Sequence, residues 1–256
     1  MRPSLLFHSL KLGLALWAAL PCTTTVRAAS SPETDAKPIY VVWRAVGFEN
    51  TLSDYYIKNG EHKVSLDIPA FAASQEYAYT GPNPMLIYRK ADDPSSTQPP
   101  VPAASIQFDP QWTRALVFVY PKADGTLGAR TAPNDEVHFK PGSIRIFNLT
   151  TEPILLKIGD EEQTLASVHE TIVTPKDHAR LVPIRYALRQ KDAWAWKGSN
   201  YFSIPPGTRR SVVLIHTDAA LFRAIGADGE ASPPTALQIF SFSEQLPSPG
   251  ENRAGK

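Results

Sequence analysis

This sequence predicts an all-β protein made of two consecutive β-sandwich domains. Three observations carry that expectation. After the first 38 residues the chain is a series of short alternating or apolar runs, rich in β-branched and aromatic residues and divided by Gly, Pro, Asn and Asp, with no long stripe of period 3.6. Its 24 prolines are scattered rather than gathered in one tract. The two halves also present the same order of features at similar spacing, as two copies of one module would.

The elements follow in order. "IYVVWRAV" (Ile39–Val46), "DYYIK" (Asp54–Lys58) and "HKVSLDI" (His62–Ile68) read as the first three strands. Asn59-Gly60 between the last two is a hairpin dipeptide, because both central positions of a type I′ turn need φ > 0. "PMLIYRK", "ASIQF" and "RALVFVY" complete the first half. Arg89–Ser105, rich in Pro, Ser and Asp, reads as a long exposed loop inside it, and Lys122–Ser143 has the composition of an interdomain connection. The second half offers "SIRIFNL", "ILLKIG", "QTLASV", "HETIVTP", "ARLVPIRYAL", "WAWKG", "YFSIP", "RSVVLIHT" and "ALQIFSFSE". The expected division is a flexible segment 29–37, a first sandwich 38–135, a second 136–243, and a polar, disordered tail 244–256.

The repeat is visible residue by residue. Val41-Val42-Trp43-Arg44-Ala45-Val46 matches Ser143-Ile144-Arg145-Ile146-Phe147-Asn148, and "SIQFDPQWTRALVFV" matches "SIPPGTRRSVVLI", which sets Arg114 against Arg210. The arrangement resembles tandem β-sandwich modules of exported bacterial proteins, broadly immunoglobulin-like or DUF4397-like. More closely, "YTGPNPMLIYRK" followed by "FKPGSIRIFNLTTEPILLKIGDEEQTL" is similar to a family of exported proteins of the Verrucomicrobia type. The resemblance implies a fold and a location. It carries no activity and no functional residue.

The N-terminus reads as a secretory leader. Arg2 and Lys11 precede the apolar "LGLALWAALP", and Val26-Arg27-Ala28 places cleavage after Ala28. Cys22 offers a lipoprotein alternative, but Pro21 stands where a small residue is wanted. The leader, residues 1–28, holds three of the 26 Lys+Arg and none of the 25 Asp+Glu, so the mature chain carries 23 and 25, a net charge of −2. That balance gives no footprint for nucleic acid. No further apolar run is long enough to span a bilayer. Cys22 is the only cysteine, so the mature chain has no disulfide, thiolate nucleophile or Cys-ligated metal. A periplasmic or extracellular, non-catalytic envelope protein is expected, acting as a binding or structural module. Its partner would be an envelope protein or a cell-surface polysaccharide, with no cofactor.

Catalytic motifs are not found. "HETIV" offers His169-Glu170 but has Val173 where a zinc-protease helix needs its second histidine. His169 and His178 across a hairpin lack a third ligand. "GDEEQ" (Gly159–Gln163) lacks the spaced oxygens of a calcium loop. Asn148-Leu149-Thr150 is formally a glycosylation sequon and reads as a chance tripeptide at a strand end.

One stretch poses a choice. In "DAWAWKGSNYFSIPPGTRRSVVLI" (Asp192–Ile215), Trp194 and Trp196 share one face of an extended strand. Placed inside, the two indoles fill the second core against "SVVLI", and this reading leads. Placed outside, Trp194, Trp196 and Tyr201 form an aromatic platform for stacking on sugar rings, the basis of the alternative that the protein is a carbohydrate-binding module.

Overall fold

The computed structural model describes residues 38–48, 50–90, 99–122, 125–175, 181–217 and 236–245. The leader with Cys22 and Ala28, the segment 29–37, His178, the centre of the Pro/Ser stretch and tail residues 246–256 lie outside the described residues. Among the described residues sixteen strands form four four-stranded sheets and no helix occurs. The first half contains β1 (Ile39–Gly47), β2 (Leu52–Asn59), β3 (His62–Ile68), β4 (Tyr77–Gly81), β5 (Met85–Arg89), β6 (Pro102–Ile106), β7 (Arg114–Pro121) and β8 (Leu127–Pro133). The second contains β9 (Ile144–Asn148), β10 (Ile154–Ile158), β11 (Glu161–Leu165), β12 (His169–Val173), β13 (Leu181–Gln190), β14 (Ala193–Ser203), β15 (Thr208–Thr217) and β16 (Ala236–Gln245).

The sheets read β4-β1-β7-β8 and β3-β2-β5-β6 in the first half, then β12-β9-β15-β16 and β11-β10-β13-β14 in the second. Adding eight to each strand number of the first half generates the second, including the one parallel contact in each, β1 with β7 and β9 with β15. The protein is a tandem of two β-sandwiches of identical strand order. That order departs from the immunoglobulin constant type, in which the first strand pairs with the second; here the first pairs with the fourth and seventh.

Period-2 alternation builds each core. Val41, Trp43 and Ala45 of β1 and Ala115, Val117 and Val119 of β7 meet Ile57, Leu66, Met85 and Ile87 from the facing sheet. Ile144 and Ile146 of β9 and Val212 and Leu214 of β15 meet Ile154, Leu156, Ile184 and Phe202. The alternate residues do not face water. Val46, Leu116, Phe118 and Ala132 from the first half pack with Phe147, Val213, Ile215 and Phe242 from the second in a third apolar cluster. Phe118 and Phe147 meet edge-to-face at 4.7 Å. "RALVFV" and "SVVLI" are continuous apolar runs because each strand is covered on both faces.

This seam is reciprocal. Val42 pairs with Arg114 and Ile144 with Arg210, so the residues of equal facing are Val42 and Ser143, Arg44 and Arg145, Arg114 and Arg209, Phe118 and Val213. On the last strands Asn134 answers Arg114 as Glu244 answers Arg209. Arg145 of the second half donates to Asn134 of the first, and Arg44 of the first lies 3.7 Å from Glu244 of the second. A pair of positions that meet this way in both directions is the mark of an isologous interface.

Several sequence expectations change. Aligning Arg114 with Arg210 is one residue out of step, because a slip of one exchanges the two faces of a strand. β4 was not anticipated, and β8 runs through the segment read as connection. β6 starts at Pro102, within the segment read as loop. β14 is one strand rather than two. The loop of the β2–β3 hairpin is Gly60-Glu61, closed by Asn59 opposite His62, and only Gly60 has positive φ (62°), which fits a type II′ rather than a type I′ turn. Glu244, assigned to the tail, is buried in β16.

Candidate aromatic binding surface

The site begins with hairpin geometry. β13 and β14 are paired from Leu181 opposite Ser203 to Gln190 opposite Ala193, and they turn through Lys191-Asp192 with Lys191 at φ 53°. β10 reaches only from Ile158 opposite Ile184 to Ile154 opposite Leu188, so the tip projects past its neighbour in the sheet. Val182, Ile184, Leu188 and Phe202 point into the second core. Pro183, Arg185, Ala187 and Arg189 therefore occupy the outward row of β13.

Along β14 the rows change hands. Counting back from Phe202 in steps of two places Asn200, Gly198, Trp196 and Trp194 on the inward face. A bulge intervenes: Gly198 stands opposite Tyr186 while Trp196 stands opposite the next residue, Ala187, leaving Lys197 without a partner. The extra residue inverts the alternation beyond it. Trp196 falls beside Ala187 and Trp194 beside Arg189, in the outward row with Ser199 and Tyr201. The expectation that the indole pair fills the core is thereby corrected. Trp194 is half-buried, Trp196 is 41% exposed and Tyr201 is 68% exposed. Gly198 sits under the Tyr186 ring, where a Cβ would come within 2.1 Å of the phenol oxygen, so the bulge is also a point of close approach between the strands.

The outward face combines these rings with cations. The Arg185 guanidinium stacks over the Trp196 ring at 4.4 Å from its centroid. Lys157 on β10 stands directly opposite Arg185 and bonds to Glu162 at 3.5 Å. A row of aromatic rings with a guanidinium beside them combines apolar surface with planar donors, suited to stacking and to bidentate contacts.

A second polar constellation is buried in the seam, and sequence reasoning missed it. Arg209 donates to the Phe139 carbonyl, to the Asn134 carbonyl and to Glu244 at 3.1 Å. Asn134 donates to Glu244 at 3.0 Å. Arg145, fully buried, lies over the Phe139 ring at 4.2 Å and 3.9 Å from Glu170. Burial lowers the Arg145 guanidinium to about 10, with Glu170 and Glu244 acting against the shift, and burial raises Glu170 against the pull of Arg145 and Arg130. His169-Glu170 thus supplies an ion pair to a strand, and His169 Nδ1 meets the Ser167 carbonyl. The available signal was two arginines inside otherwise apolar strands, Arg145 and Arg209, since such residues are buried only when paired.

Other residues singled out in the sequence have structural positions. Asn148 of the sequon is fully buried, its amide donating to the carbonyls of Glu152, Leu165 and Ala166. Glu161 and Glu162 open β11. Among the described residues no three His, Cys, Asp or Glu side chains come together as a metal site, and no helix is long and apolar enough to cross a membrane. No protein-family model matches this chain, and none of the curated proteins matches it.

Proposed function

We propose that this protein is a non-catalytic exported binding module that takes glycan on the outward face of β13 and β14. The observation that carries the reading is the bulge at Lys197, which turns Trp194 and Trp196 out of the core and into one row with Tyr201. Aromatic rings held rigidly on a sheet cost little conformational entropy to immobilise and stack against the apolar faces of sugar rings. The leader pattern supports a periplasmic or extracellular setting for such a ligand. A Trp194→Ala/Trp196→Ala double variant should lose co-sedimentation with polysaccharide preparations while keeping its Tm. A Tm fall of many degrees with binding retained would refute the reading.

A second reading has its own observation. Among the described residues β14 is an edge strand of 11 residues, and its outer side is a template on which a partner envelope protein can add a strand. In that case the double variant would bind glycan preparations no differently from wild type.

A further inference from the structure

The charge on the candidate surface narrows the ligand class, on the premise that the surface binds glycan. The hairpin Leu181–Ser203 carries Arg185, Arg189, Lys191 and Lys197 against the single acid Asp192, net +3 on a chain whose formal net charge is +1. Among the described residues no carboxylate lies within ion-pair distance of any of the four, while Arg44, Arg114, Lys157 and Arg209 all have acids beside them. Two of the cations share the outward row with the rings, Arg185 over Trp196 and Arg189 opposite Trp194. Arg185 is also placed opposite Lys157, whose own counter-charge is Glu162 on the far strand.

From this arrangement we infer that the ligand is an acidic polysaccharide whose repeating sugars carry carboxylates. The rings of Tyr201 and Trp194, with the part of Trp196 that Arg185 leaves uncovered, take the sugar faces. The guanidinium groups of Arg185 and Arg189 take two carboxylates separated along the chain as bidentate donors, the geometry for which arginine is suited and lysine is not. Their positions four residues apart on one strand are about 14 Å from each other at about 3.4 Å per residue, a span that a chain of sugars meets and a single sugar does not. A surface that needed only stacking would have no use for two cations beside its rings with no acid among the described residues to pair with them.

The test measures binding of the mature full-length protein to polygalacturonate, to the same polymer fully methyl-esterified, and to inorganic polyphosphate at matched charge and ionic strength. The expected result is binding to polygalacturonate, at least about tenfold weaker binding to the ester, and weakening of roughly tenfold in Arg185→Gln with the Tm unchanged. Arg189→Gln, nearer the exposed tip, provides a second variant should the first disturb the fold. Equal binding of polymer and ester would overturn the acidic-ligand inference and leave the glycan reading standing. Binding to neither polymer would remove both. Polyphosphate binding as tight as polygalacturonate binding, unaffected by Trp196→Ala, would show bare charge attraction and would also overturn the inference.

Discussion

The two sandwiches share one strand order and differ most at their fifth and sixth strands. In the first half β5 and β6 have 5 residues each and are joined through residues 90–101. In the second half the corresponding β13 and β14 have 10 and 11 residues and are joined by a tight turn. The strands that make the seam, by contrast, pair in the same way in both halves. The outer face of the first sandwich is closed by its own side chains: Tyr56 stacks on Tyr88 at 5.4 Å, with Lys63 and Lys58 over the rings. The face of the second leaves Tyr201 open and Trp196 partly exposed beneath Arg185. The seam strands set the frame, and lengthening one hairpin by a few residues supplies a surface without a counterpart among the described residues of the sister domain.

The sharpest way to break the comparison is through the seam. Arg209→Met leaves Glu244 buried without its main cation and should cost about 3–5 kcal/mol, whereas Arg209→Met/Glu244→Leu should recover most of that loss. Denaturant unfolding of the two variants measures both. Phe202 and Trp196 then separate core from surface within one strand. Phe202→Ala should cost about 3–5 kcal/mol.

A smaller effect is expected where the halves join. Asp135 accepts from the His138 backbone and faces its ring at 2.7 Å. Burial pushes the Asp135 carboxyl up, but the bonds from His138 outweigh it and hold it below its ordinary value. Its contribution is therefore complete above the ordinary carboxylate pKa and is lost as pH falls through the lowered one. Asp135→Asn should cost about 1 kcal/mol at neutral pH and flatten that part of the acid unfolding curve. The smallest stability change belongs to Trp196→Ala, within roughly 1 kcal/mol, and it should be accompanied by the largest loss of binding.

Much of the frame was legible because alternation and turn residues report directly on faces and corners. Fourteen of the strands were marked by runs such as "RALVFVY" and "SVVLI", although "WAWKG" and "YFSIP" proved to be two parts of one. β8 escaped because "LGARTAP" is made of small and turn-forming residues; Gly128 is bare so that the Tyr120 ring of β7 can lie across it, with a Cβ meeting the ring at 2.2 Å. β4 escaped because "YAYTG" is short and is flanked by Glu76 and Pro82. The face of the tryptophans was not legible, since it depends on one bulge, and a bulge at a lysine has no signature in sequence. The seam was hidden for a further reason: an arginine on a strand reads as solvent-facing unless the strand's second face is known to be covered.

The meeting of Asn134 and Glu244 has a consequence for how this chain can vary. In a dimer of identical subunits, a position on the symmetry axis confronts its own copy. Two glutamates there repel, and two asparagines satisfy each other without carrying a charge to hold an arginine. Two modules joined in one chain escape that restriction, because the equivalent positions are separate codons. Here one became the amide donor and the other the carboxylate acceptor, so the contact is complementary where symmetry alone would make it a contest of like with like.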